Sequence, residues 1–181
     1  MKPIVNHEYL GGLKNKNLLI DTTALVDASR DNKSAMLNYF KMLKSVGCGL
    51  VIIPDAYYEF IRGARTTEQR QKYVNFFNDL DILTVPLTGQ ILSNEENQRF
   101  SIAYSQEAKH ASITDYMLCV ALYHYRGRGM KLLTANHKDM PSSLLERESL
   151  IAYDQGDEIR THAIYGIAPN ERLAKTFKKY P

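Results

Sequence analysis

The chain has 181 residues, of which 44% are hydrophobic and 24% charged, and carries a formal charge of +3. Its length suits one well-buried core and is short for two, and the composition is that of an ordinary soluble globular domain. No apolar run approaches the roughly 18 residues needed to cross a membrane, and residues 1–17 lack the apolar stretch of a signal peptide, so the sequence predicts a cytoplasmic protein.

Residues 1–16 read as a loose arm, mixed in charge, glycine and asparagine. Asn17-Leu18-Leu19-Ile20-Asp21 is a short buried strand, too brief for a helix and rich in aliphatics. Helical pattern follows through Leu25 to about Val46, broken near Arg30–Lys33. Gly47 and Gly49 punctuate the approach to a second strand, Leu50–Ile53. Pro54-Asp55 opens the next helix, with Asp55 as its N-cap and Glu59 about one turn in. Gln69–Leu80 is amphipathic, with Tyr73, Phe76, Phe77 and Leu80 at helical spacing.

Asp81–Pro86 is a third short strand, and Glu95–Lys109 a polar helix. Ile113–Tyr125 is a nearly all-round apolar helix, ended by Gly127 and Gly129. Lys131–Ala135 is a fourth strand, and Leu150–Tyr153 and Ile159–Ile167 flank the turn Gln155-Gly156-Asp157 as a final strand or hairpin. Residues 168–181 form a basic tail. Helices alternating with short aliphatic strands predict an α/β fold with a central, mainly parallel sheet of four to five strands, covered by helices on both faces.

In such a sheet, ligands bind beyond the carboxyl ends of the strands. Asp21 ends the first strand, Glu59 follows the second, and Asn136 and Asp139 follow the fourth. Asp115 opens the helix that feeds the fourth strand, so it belongs to the same edge. The same geometry sends Arg126 and Arg128 to the opposite edge and out of the site. Carboxylates gathered this way repel one another unless a hard divalent cation lies among them.

Each acid also has a plain structural role open to it. Asp21-Thr22-Thr23 suits a helix cap, Ser112 and Asp115 have capping-box spacing, Glu59 suits an exposed helix face, and Asn136–Asp139 a polar loop. Their coincidence at one sheet edge is what favours a site. Thr23 and Thr134 are candidates to position water or phosphate, against a hydroxyl satisfied by local backbone. His137 lies beside the site as a candidate proton donor, though no Cys/His cluster argues for zinc.

Four segments carry a resemblance: Leu19-Ile20-Asp21-Thr22-Thr23-Ala24-Leu25, Tyr58-Glu59-Phe60-Ile61-Arg62-Gly63-Ala64-Arg65, Ile113-Thr114-Asp115-Tyr116-Met117-Leu118 and Leu133-Thr134-Ala135-Asn136-His137-Lys138-Asp139. In this order and spacing they resemble PIN-domain proteins, most closely the VapC-type ribonuclease toxins of toxin–antitoxin pairs, over roughly residues 17–167. The resemblance implies a three-layer α/β/α sandwich and an Mg²⁺- or Mn²⁺-dependent endoribonuclease holding one or two ions. It assigns the metal-site acids to Asp21, Glu59 and Asp115, and offers Asn136 and Asp139 for the family's fourth position. An RNA substrate, an antitoxin and a homodimer follow as expected partners. Many relatives have an aromatic residue after the last aspartate, where this chain has Met140-Pro141, and the arm and basic tail exceed the compact toxin pattern.

Basic clusters draw phosphates, although most are solvated faces. Arg62, Arg65, Arg70 and Lys72 follow Glu59, and Arg62 and Arg65 are the candidate RNA-binding pair. Arg172, Lys175, Lys178 and Lys179 against Glu171 make a tail excess as large as that of the whole chain. Tyr57, Tyr58, Tyr104 and Tyr116 are candidates to stack bases, with core packing the default. Tyr39-Phe40 and Phe76-Phe77 are candidates for a partner surface. Cys48 and Cys119, in apolar surroundings, read as reduced core residues.

Three other functions compete. A catalytically weak PIN-like module binding RNA or protein is opposed by the complete acidic set. A haloacid-dehalogenase-like phosphatase with Asp21 as nucleophile wants aspartate two residues on, where Thr23 stands. A Rossmann nucleotide binder wants a glycine-rich turn after the first strand, and none follows.

Overall fold

A computed structural model describes residues 3–4, 6–30, 34–154 and 158–180. In chain order the elements are α1 (His7–Gly12), β1 (Asn17–Ile20), α2 (Thr22–Ser29), α3 (Ala35–Ser45), β2 (Gly49–Ile52), α4 (Pro54–Arg62), α5 (Thr67–Asp79), β3 (Leu83–Thr84), α6 (Gly89–Leu92), α7 (Glu95–Glu107), α8 (Ile113–His124), β4 (Lys131–Thr134), β5 (Leu145–Asp154), β6 (Ile159–Ile167) and α9 (Asn170–Lys179). The fold is α/β, as the alternation of elements predicts. Its one sheet has six strands in the order β3-β2-β1-β4-β6-β5.

The strand count corrects the expected four to five. β3, β2, β1 and β4 are mutually parallel, whereas β6 runs antiparallel to β4 and β5 antiparallel to β6. The extra length is in β5, which begins at Leu145 instead of Leu150. Glu146, Arg147 and Glu148 give that stretch the look of a surface loop, and a bulge between Arg147 and Ser149 interrupts its alternation. The turn expected at residues 155–157 lies outside the described residues, as do residues 31–33 of the expected break between α2 and α3.

β1 is central, and Leu18, Leu19 and Ile20 are fully buried between β2 and β4. Their burial on both faces explains why the run is continuously aliphatic and does not alternate. The register pairs Ile20 with Leu133, and the Asp21 amide extends the ladder by donating to the Leu133 carbonyl at 3.0 Å. The acid is thereby delivered where the parallel strands end.

Several local expectations shift. Pro54 takes the first position of α4, where a missing N–H costs nothing, so Asp55 sits inside the first turn and is not its N-cap. The arm expected to be loose holds α1, whose Leu10 is buried with neighbouring Leu13, while Ile4 bridges to Ala152 of β5. Most of the basic tail is helical, with α9 burying Leu173 and Thr176 and pairing Lys179 with Glu107 at 2.9 Å. Tyr39, Phe40 and Phe77 are buried in the core, which removes Tyr39-Phe40 as a partner surface, whereas Phe76 is half-buried and lines a surface cavity. Cys48 and Cys119 are buried and free. Among the described residues, no helix is long and apolar enough to cross a membrane.

Candidate functional site

A cleft of about 360 Å³ opens at this edge of the sheet, and Asp21, Glu59, Asp115 and Asn136 all line it. They come from four separate elements: the end of β1, the middle of α4, the first turn of α8 and the residues after β4. Convergence of these distant segments is thus a property of the fold, as the strand pattern predicts.

Asp21 is 4% exposed, and its carboxylate is held by two threonines. Thr134 donates to Oδ2 at 2.6 Å and Thr23 donates to the same oxygen at 2.7 Å. Each threonine oxygen in turn accepts a backbone N–H, from Asn136 at 2.8 Å and from Ala135 at 3.2 Å. Both hydroxyls donate to Asp21 and so position the acid, and Thr23 is also exposed at the cleft. Asp21 stands at the N-cap of α2 but makes no capping bond, because its side chain is engaged there. Burial pushes its carboxyl above the ordinary range, the Thr134 and Thr23 hydroxyls pull it back, and the Asp115 charge raises it again.

Asp115 caps its helix as the spacing predicts and also lines the cleft. It completes a capping box with Ser112, whose hydroxyl also donates to Oδ2 at 2.6 Å. Its other oxygen, Oδ1, accepts from the Asn136 amide at 3.0 Å. The same Asn136 nitrogen donates to Asp139 Oδ2 at 2.7 Å. Only the NH₂ group can satisfy two carboxylates, so the amide orientation follows from the chemistry. Asp139 does not line the cleft. It sits behind Asn136, in a 3-10 turn whose Asp139 carbonyl accepts from the buried Tyr104 hydroxyl at 2.8 Å. That hydrogen bond places Tyr104 in the core, away from base stacking.

Glu59 is exposed at the cleft and has no hydrogen bond or ion pair among the described residues. Arg62 and Arg65 are exposed beyond it and do not line the cleft. His137 also stays outside, bonded to the Tyr165 hydroxyl at 3.1 Å. Tyr58 is 69% exposed beside Glu59, whereas Tyr57 and Tyr116 are half-buried.

Several lining residues gave no signal in the sequence. Thr22 presents a buried hydroxyl with no partner among the described residues. Asp27, 3% exposed, accepts from Tyr153 at 2.7 Å and has Arg30 at 3.4 Å and Arg160 at 3.9 Å. Asp27 is one turn past Thr23 within α2, where an acid usually marks the solvent face. Arg30 is its neighbour three residues on, but Tyr153 and Arg160 lie on β5 and β6, which no local pattern reveals.

The donors around Asp21, Glu59 and Asp115 are all oxygen, with no thiolate or imidazole among them. That chemistry suits magnesium or manganese, which keep several waters and bind through one or two carboxylates. Among the described residues no group of three or more His, Cys, Asp and Glu side chains is arranged to hold a metal. No family model matches the chain, and no curated protein or solved structure matches it.

Proposed function

We propose that this chain is an Mg²⁺- or Mn²⁺-dependent endoribonuclease of the PIN type, hydrolysing RNA phosphodiester bonds as a VapC-like toxin. One observation carries the reading: Asp21, Glu59, Asp115 and Asn136, from four separate segments, line a single cleft at the carboxyl edge of the parallel strands. The expected PIN sandwich belongs to the same proposal, with β5 and β6 as its antiparallel extension. In the toxin form of the reading, an antitoxin and a second copy of the chain are the protein partners.

Asp21 and Asp115 would hold the ion, with Glu59 reaching it directly or through water. The bound ion would supply an acidified water and offset charge on the phosphoryl oxygens. The chain's own residues prepare that site. Thr23 and Thr134 both bond Oδ2 of Asp21 and so fix the orientation of its carboxylate. Ser112 and Asn136 fix the two oxygens of Asp115. Asn136 is itself held by Asp139, so the acids are oriented before substrate arrives, which is where electrostatic catalysis gains most.

That no three acids among the described residues are arranged to hold a metal favours a second reading, a catalytically weak PIN-like module that binds RNA or protein. Cleavage of a structured RNA pool separates the two. Wild type should cut with Mg²⁺ or Mn²⁺, and Asp21→Asn or EDTA should abolish cutting. Equal activity in both proteins would remove Asp21 from the mechanism, and RNA binding without cleavage would select the module.

A further inference from the structure

Four carboxylates line the cleft: Asp21, Asp27, Glu59 and Asp115. A polyanion entering it meets unfavourable charge unless cations stand along its path. Among the described lining residues, the cationic side chains are Arg30 and Arg160. Arg30 follows the last turn of α2, and Arg160 is the second residue of β6. α2 begins just after Asp21, so it sets Arg30 about 13 Å along the helix axis from that acid. The arginines thus belong to the same cleft as the acids but stand apart from them.

Both guanidiniums are organised from beneath. Asp27 is 3% exposed, with Arg30 Nε at 3.4 Å and Arg160 at 3.9 Å, while the arginine side chains are 45% and 40% exposed. Two cations share one carboxylate, so the group has surplus positive charge. Asp27 is also occupied by the Tyr153 hydroxyl at 2.7 Å. The arginines are therefore steered without being consumed. Arg126, by contrast, stacks over Tyr123 and pairs with Glu96 at 2.8 Å, leaving little to offer a ligand.

We propose that Arg30 and Arg160, steered by buried Asp27, form a phosphate subsite that grips the RNA strand next to the scissile phosphodiester. The proposal rests on the ribonuclease reading, and it replaces Arg62 and Arg65 as the pair that holds the backbone. Guanidinium forks match phosphate oxygens geometrically, which suits a positioning role. Asp27 is then a positioning residue acting through the two arginines.

Binding of a fluorescein-labelled, unstructured RNA oligonucleotide in EDTA, measured by anisotropy across a KCl series, tests it without cleavage. Each single-strand phosphate contact contributes about 0.7 to the slope of log K against log salt. Arg30→Met and Arg160→Met should each lower the slope by about that amount, whereas Arg160→Lys, which keeps the charge, should retain it. Both arginines are substantially exposed and methionine keeps their apolar stems; should a methionine variant melt early, Arg160→Gln and Arg30→Gln carry the same comparison. Unchanged slopes in the neutral variants, or no RNA binding by wild type, would overturn the subsite. Failure of wild type to cleave with Mg²⁺ or Mn²⁺, with arginine-dependent slopes intact, would instead overturn the nuclease reading and leave the arginines as a phosphate-binding subsite with no scissile bond beside it.

Discussion

Thr134 donates its hydroxyl to Oδ2 of Asp21 at 2.6 Å, across 113 positions of sequence. The threonine is fully buried at the end of β4, and its oxygen also accepts the Asn136 amide. One side chain thereby ties an acid on one strand end to the loop that carries the neighbouring amide. Asp21 is satisfied by hydroxyls from both flanks, and the cleft inherits the stiffness of the sheet.

Thr134→Val tests this tie. Valine keeps the shape but deprives Asp21 of a donor and the Asn136 N–H of its acceptor. A buried polar group left unpaired costs about 1–3 kcal/mol, and each 1 kcal/mol moves the melting temperature of a chain this size by roughly 2–4 °C. Melting should therefore fall, and RNA cleavage should fall with it because Asp21 and Asn136 lose their common frame. An unchanged melting temperature and rate would show that the hydroxyl is dispensable.

The acids were legible because each follows a feature with a strong local signal. Leu18–Ile20 and Leu132–Leu133 are aliphatic runs that read as buried strands, and Asp21 and Asn136 are the polar residues that end them. Asp115 was marked by its spacing from Ser112. What was not legible depends on pairing between distant segments. Asp27 looks like a helix-surface acid until Tyr153, Arg30 and Arg160 close over it. The start of β5 is hidden because Glu146 and Glu148 mask a strand that one bulge throws out of alternation. Arg62 and Arg65 follow Glu59 closely in sequence, but nearness in sequence does not say which way the end of α4 faces.

Asn136→Asp should couple stability to the divalent cation more strongly. The present amide donates to Asp115 at 3.0 Å and to Asp139 at 2.7 Å. A carboxylate there would face two like charges with no donor between them. In EDTA the variant should melt below wild type, and a Mg²⁺ titration should raise its melting temperature by more than it raises that of wild type, since an ion bound only by the folded state stabilises it by mass action. Equal Mg²⁺ responses would place the ion away from Asn136.

Asp21→Asn should act in the opposite sense. Asp21 is buried and repelled by Asp115, while the two hydroxyls that hold it converge on a single oxygen. An amide oxygen can accept both bonds without the charge. The variant should melt above wild type in EDTA, by a few degrees, and should gain little or nothing from Mg²⁺. A lower melting temperature would mean that the ionised carboxylate is worth more to the two threonines than its burial and the repulsion from Asp115 cost.

His162 gives the fold an acid-labile point distinct from the cleft acids. Its ring is fully buried, stacked on Tyr153 at 5.8 Å between centroids, with Nε2 at 3.8 Å from Asp27. Burial pushes its pKa down to about 4; Asp27 opposes that shift, while His137 and Arg160 add to it. The unfolded chain, with histidine near 6.5, binds this proton first as the pH falls. Stability from keeping the ring neutral is present above about 6.5 and is lost towards pH 4, on the order of 3 kcal/mol. His137 is lowered too, first by burial, and adds a contribution of the same sign. Only a comparison of variants isolates His162. His162→Phe keeps the stacked ring and removes the titration, so urea denaturation at pH 7 and near pH 4.5 should show a smaller loss in the variant than in wild type. Parallel losses in the two proteins would assign the acid sensitivity to the carboxylates and to His137.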